Sequence, residues 1–187
     1  MNIIHRWLCR SAYWRENLEQ SLLPWALEGV DLGNDVLETG PGPGLTTDWL
    51  RQRVTHLTAL EIDPRLARAL KQRMQGTNVR VIKDDATKMP FEDRSFSAVI
   101  SLTMLHHVPS SALQDKLLAE ARRVLRHGGV FVGIDSTPSF RFRLIHIGDT
   151  MVVVDPDTFG ARLRAAGFSD AVIDRRPNRF RFRAYAR

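Results

Sequence analysis

Three short stretches of the chain gather residue types that can hold a nucleoside-like ligand, and a fourth offers a base. In ETGPGPG (38–44), glycines at alternate positions let the backbone turn tightly and approach a ligand with no Cβ in the way. A helical pattern follows directly, and its first N–H groups could hold an anion. A dinucleotide fingerprint needs its third glycine at position 45, where Leu45 stands, so the spacing argues against NAD. A plain strand-to-helix turn is the simpler reading of the loop. In LEID, Glu61 lies about twenty residues beyond the glycines, where an acid can accept both ribose hydroxyls of an adenosine. Asp63 in the same stretch precedes Pro64 and suits a helix start instead. In KDDATKMPF, a carboxylate of Asp84 or Asp85 can accept the exocyclic N–H of adenine, and an exposed acidic turn is the alternative. In TMLHHVPSS, His106 and His107 carry imidazole, the side chain most often used as a general base; packing at a strand end competes with catalysis for both. Adjacent histidines rarely converge on one ion and no Cys or acid stands at ligand spacing, so no metal site is expected.

Together these residues describe a site for an adenosine with a cationic, non-phosphate tail. Glu38 at the glycine loop would gain nothing from a pyrophosphate, but it would gain from an ammonium group. S-adenosylmethionine has that profile.

The elements that must deliver these residues alternate. Strand patterns cover 35–39, 56–62, 78–84, 96–103 and 128–136, with helical patterns at 45–53, 64–75, 111–126 and 156–168. Such alternation implies parallel pairing, right-handed crossovers and a doubly wound α/β sheet. Two further strands, at 170–176 and 179–186, are joined by RPN alone, too short for a parallel crossover. The expected architecture is a mostly parallel seven-stranded sheet with an antiparallel C-terminal hairpin at its edge. Before it, residues 2–29 carry Ile4, Trp7, Leu8, Trp14, Leu18, Leu22, Leu23 and Trp25 at mostly helical spacing, broken by Pro24. In such a sheet ligands bind beyond the C-terminal strand ends, where all four stretches lie.

The 187 residues suit one domain: a helical cap over 1–30, a cofactor-binding core over 35–136, and a linker, helix and hairpin over 137–187. No apolar run approaches the roughly 18–20 residues of a membrane span, and the mixed-charge N-terminus does not read as a secretory leader. The single Cys9 excludes an intrachain disulfide and fits a cytoplasmic protein. Net charge is +6, with the basic excess late in the chain. There Phe180, Phe182, Ala184 and Ala186 alternate with Arg179, Arg181, Arg183 and Arg187, the pattern of a half-buried strand with arginines toward solvent. A face for RNA or an acidic partner is the other reading.

VLETGPGPGLTT, LTALEIDP, VIKDDATKMPFEDRSFSAVISLTMLHHV and EARRVLRHGGVFVGIDS, in that order, resemble the successive motifs of class I S-adenosylmethionine-dependent methyltransferases. The resemblance is closest to the type-11 group that includes quinone-biosynthesis enzymes. It implies a Rossmann-like fold, S-adenosylmethionine as cofactor and methyl transfer as the activity. Glu38, Gly40 and Gly42, with Thr39 and Pro41 between them, match the loop at the methionine part. Glu61 matches the ribose-binding acid, with Ile62 against the adenine. Asp85 and Ala86 match the adenine-reading motif, and Ser101 the strand end near the sulfonium. His106 holds a position that faces the methyl group in several small-molecule members. The family more often has Asp where Glu38 stands and Gly where Asp84 stands. The loop also resembles that of ribosomal RNA adenine dimethylases, but their Asn-Leu-Pro-Tyr motif is replaced here by SLTMLHH. A small-molecule acceptor is therefore expected, walled by the N-terminal segment and the stretch between Ser136 and Pro156, with His107 structural. Tyr13 and Trp14 could cap the cofactor, with core packing the other reading of Trp14; His146, Asp149 and Thr150 are polar candidates, with a surface turn the other reading. RNA or protein as acceptor, or a silent cofactor-binding module, are the alternatives.

Overall fold

The computed structural model describes residues 11–138, 148 and 150–187. The roles expected of Ile4, Trp7, Leu8, Cys9, His146 and Asp149 lie outside these residues.

Strands β1 (Asp35–Thr39), β2 (His56–Glu61), β3 (Val79–Lys83), β4 (Phe96–Leu102), β5 (Leu125–Ser136), β6 (Ser169–Arg176) and β7 (Arg179–Tyr185) form one sheet. Its order is β3-β2-β1-β4-β5-β7-β6. The first five strands pair in parallel; β7 pairs antiparallel with both β5 and β6. β1 and β4 are almost wholly buried because both sheet faces are covered. Successive residues serve opposite faces. Leu37, Val99 and Phe131 pack toward α5 (Ser111–Val124) and α6 (Pro156–Ala165). Val36, Ile100 and Val132 pack with Leu18, Leu22 and Leu23 of the N-terminal helices.

Local chemistry starts the helices where the sequence signals them. The Asp63 carboxylate accepts from Arg65 N at 2.8 Å and Leu66 N at 3.1 Å, opening α4 (Pro64–Arg73). Ser110 and Asp155 cap α5 and α6 in the same way. At the N-terminal side, α1 (Ala12–Asn17) and α2 (Leu23–Leu27) are joined by a π-helical turn over Leu18–Leu22. Pro24 has no N–H to continue an α ladder, and Leu23 N–H reaches back five residues to Leu18 O. Another helix, α3 (Leu45–Leu50), follows β1. No helix among the described residues is long and apolar enough to cross a membrane.

One expectation is corrected. The hairpin ends the sheet, with β6 outermost, but Arg179 and Arg181 of β7 meet the N-terminal helices rather than open solvent. Arg181 donates to Asp174 at 2.8 Å, to Glu28 at 2.9 Å and to the Trp25 carbonyl. Arg176 and Arg181 stand 4.4 and 5.5 Å from the Trp25 ring centre, and Arg179 lies 5.2 Å from that of Trp14. The period-2 alternation identifies the strand, but it carries no information about which element covers its polar face.

Candidate active site

The C-terminal strand ends open into a cleft of about 520 Å³, within the usual range for a small-molecule site. It straddles β1, flanked by β2 on one side and β4 on the other, the point where strand order reverses.

On the β1–β3 side, Gly40, Pro41 and Gly42 form part of the wall. Both glycines have positive φ, +63° and +56°. A Cβ on Gly40 would lie 2.2 Å from Met104 Cγ, whereas one on Gly42 would meet nothing within 4 Å and would occupy the cleft. The Glu61 carboxylate accepts from Gly42 N at 2.9 Å with one oxygen and from Asp63 N at 2.9 Å with the other. It thereby ties the glycine loop to the end of β2, and burial pushes its carboxyl above the ordinary range. Ile62 stands beside it on the wall, 61% exposed although apolar. The loop is also held from outside: Arg73 of α4 donates to Pro43 O at 2.8 Å and Gly44 O at 3.2 Å. Asp85 and Ala86 complete this end. Asp85 accepts from Thr87 N at 2.8 Å, and Asp84 caps the turn by accepting from Asp85 N at 2.8 Å.

Three residues expected at the ligand stand behind the wall. Glu38 is buried beneath the loop, where Thr46 and Thr47 hydroxyls donate to its two oxygens, the latter at 2.6 Å. Burial pushes its carboxyl up to about 7, against those two hydrogen bonds. Thr39 Oγ1 donates to Ile100 O at 3.1 Å, linking β1 to β4. Ser101 is fully buried, and its Oγ has no hydrogen-bond partner among the described residues.

On the β4–β7 side the chain leaves β4 through Thr103 at φ +52°, an uncommon conformation for a β-branched residue. A 3-10 turn, Leu105–His107, follows. Gln114 pins it by donating to Leu105 O at 3.0 Å and Val152 O at 2.7 Å. Because this is a turn, the two histidines do not point to opposite sides: their rings lie 4.2 Å apart and both border the cleft. His107 Nδ1 is 3.4 Å from Thr150 O. His106 is buried, with Nδ1 2.5 Å from Asp135 Oδ1 and its backbone N 3.2 Å from Asp135 Oδ2. Ser136 N also donates to Asp135, at 2.6 Å. A carboxylate only accepts, so this network assigns the hydrogen to Nδ1 and leaves Nε2 as the basic nitrogen. Trp14, Ser136, Thr150 and Arg179 extend the wall, while Tyr13 is three-quarters exposed and lies outside it.

Asp135 and Arg179 are the site residues that sequence reasoning passed over. Asp135 had a signal: an acid near the end of the otherwise apolar strand GGVFVGIDS. Arg179 had none, since its alternation with Phe180 reads as an outward side chain. Among the described residues no three His, Cys, Asp or Glu side chains gather as a metal site would require.

A family model described as a methyltransferase domain matches residues 37–133. A demethylmenaquinone methyltransferase of Tropheryma whipplei is 33% identical over 142 residues, covering 70% of this chain and 57% of that protein. The chain thus spans little more than half the length of that relative. Among solved structures, a Haloferax volcanii methyltransferase in complex with the activator Trm112 superposes with a TM-score of 0.77 at 16% identity, over 100% of this chain and 98% of that one. A Haemonchus contortus phosphoethanolamine N-methyltransferase bound to S-adenosyl-L-methionine gives 0.76 at 15% identity, over 99% and 60%. At those identities the likeness is one of fold.

Proposed function

The chain belongs to the class I S-adenosylmethionine-dependent methyltransferases, and on that premise we propose that it methylates a small molecule whose nucleophile gives up a proton to His106. The observation that carries this reading is the 2.5 Å contact between His106 and Asp135 at the cleft.

S-adenosylmethionine is the cofactor of this family. The residues at the β1–β3 side fit it. Gly42 leaves room for the methionine part, the Glu61 carboxylate faces the region a ribose would take, and Ile62 offers an exposed apolar surface for a base. Asp85 supplies the acceptor that an exocyclic amine needs. When bound, the cofactor supplies an electrophilic methyl group on a sulfonium.

The protein's work is then alignment, exclusion of water and handling of one proton. Asp135 holds the imidazole of His106 in one tautomer and orientation. Its negative charge stabilises the imidazolium that forms as Nε2 takes the acceptor's proton. Glu38 sits behind the loop, which suits a positioning role through Thr46 and Thr47 rather than direct contact with the ligand.

The engagement of Arg181 and Arg176 with Trp25, Glu28 and Asp174 favours a small acceptor over RNA, because those two arginines are not displayed to solvent. The test is a product screen with methyl-labelled S-adenosylmethionine against small metabolites and total RNA. Label entering a small molecule, and lost with His106→Ala, supports the proposal; label entering RNA alone contradicts it.

A further inference from the structure

Of the three arginines that β7 presents on one face, Arg179 and Arg181 stand two residues apart and end differently. Arg181 has three hydrogen-bond partners. Arg179, at the strand's first position, borders the cleft, and its Nη1 is buried with no hydrogen-bond partner among the described residues. The guanidinium lies 5.2 Å from the Trp14 ring centre, so one face is covered. The charged group that bears on it is the Asp135 carboxylate. Asp135 already accepts from His106 Nδ1, His106 N and Ser136 N, so it offsets the charge of Arg179 but makes no hydrogen bond to it. Burying a guanidinium with an unsatisfied N–H is costly unless a partner arrives. Desolvation lowers the pKa of Arg179, in keeping with a cation whose counter-ion comes from outside the protein.

Position decides which ligand that partner belongs to. Arg179 pairs with Ser136 at the end of β5, next to the strand end that holds Asp135. The glycine loop is three strands away, roughly 14 Å at the usual strand spacing. Arg179 therefore stands on the side of the cleft that holds His106 and Asp135 rather than beside that loop. A planar guanidinium beside an indole, with an N–H group left unpaired, suits pairing with a carboxylate or a phosphate.

We propose that the acceptor is an anion, and that its carboxylate or phosphate group pairs with Arg179 while its nucleophile faces His106. This rests on the methyl-transfer reading above and names the substrate class of the same site. The pairing fixes the acceptor at two points, its anionic group and its nucleophile.

The test uses protein saturated with S-adenosylhomocysteine, titrated calorimetrically with benzoate, phenyl phosphate and the neutral control benzyl alcohol. At least one anionic probe is expected to bind wild-type protein about 10- to 100-fold more tightly than Arg179→Gln, the loss expected for a hydrogen bond to a charged group. Arg179→Lys, which keeps the charge without the planar fork, should hold that probe at an intermediate affinity. S-adenosylhomocysteine affinity should be equal in all three proteins, and benzyl alcohol should not distinguish them. The preferred anion tells carboxylate from phosphate. Equal anion binding by wild type and Arg179→Gln, no binding of either anion by the wild type, or a loss of S-adenosylhomocysteine affinity in the variants would each overturn the proposal. Because the titration involves no turnover, it stands apart from the role of His106. A His106→Ala protein that loses transfer but keeps Arg179-dependent probe binding would separate the two readings.

Discussion

Nδ1 of His106, in the turn after β4, lies 2.5 Å from Oδ1 of Asp135, near the end of β5. Both side chains are buried, at 3% and 0% exposure, so the pair sits where charge interactions are little screened. The neighbouring parallel strands β4 and β5 deliver the two residues, with Leu102 in register with Ile134. The contact therefore depends on the sheet, not on a flexible loop. Two backbone N–H groups fix the carboxylate further, and Val152 N donates to His106 O at 2.8 Å.

The two loop glycines should separate on substitution. Gly40→Ala meets Met104 and a positive φ together, and is expected to lose about 2–4 kcal/mol of stability in urea unfolding. Gly42→Ala meets only the positive φ, at about 1 kcal/mol, but puts a methyl into the cleft, and S-adenosylhomocysteine affinity should fall about tenfold or more. Equal effects of the two on stability would count against the packing described around Met104.

Glu38 gives stability a pH dependence of known sign. Its carboxyl moves from an ordinary 4.5 up to about 7 in the folded protein, so the native state holds the proton more tightly than the unfolded chain. That contribution is complete below about pH 4.5 and is lost as pH rises through about 7. Relative to Glu38→Gln, which cannot ionise, wild-type protein should lose on the order of 3 kcal/mol across this window. Urea unfolding of both proteins at about pH 5 and about pH 8 measures the difference, and parallel pH profiles would show that Glu38 is not the group responsible.

Asp85 is the expected acceptor for an exocyclic amine. Asp85→Ala also removes the bond from Thr87 N that shapes the turn. Cofactor affinity by calorimetry should drop about 10- to 100-fold, with Asp85→Asn recovering the turn but not the binding. Unchanged affinity in Asp85→Ala would remove the adenine assignment.

Much of the fold was legible because it depends on local signals. The strand patterns at 35–39 and 96–103, the Asp63–Pro64 helix start and the short RPN link each specify an element without knowledge of the rest. That the glycines, Glu61, Ile62 and Asp85 border one cleft was legible for a related reason: they mark strand ends in sequence order. What could not be read depends on contacts between distant segments. Arg181 bonds to Glu28, 153 positions away, and nothing in RFRFR announces that N-terminal helices cover it. His106 and Asp135 are 29 residues apart, and only the adjacency of β4 and β5 brings them together. That His106 and His107 border the cleft together was not legible either, because the extended strand stops at Leu102 and the histidines fall in a 3-10 turn. Glu38 was placed at the ligand by its proximity to the glycines; the turn directs it under the loop toward Thr46 and Thr47.

The most direct measurement is steady-state methyl transfer to the acceptor found in the labelled screen, comparing wild type with Asp135→Asn and with S-adenosylhomocysteine affinity measured in parallel. An amide at 135 can donate to Nδ1 and stabilise the tautomer with Nε2 protonated, which is not a base. The account predicts a fall in kcat of about 10²- to 10⁴-fold with cofactor affinity unchanged. A variant that keeps wild-type kcat would contradict it.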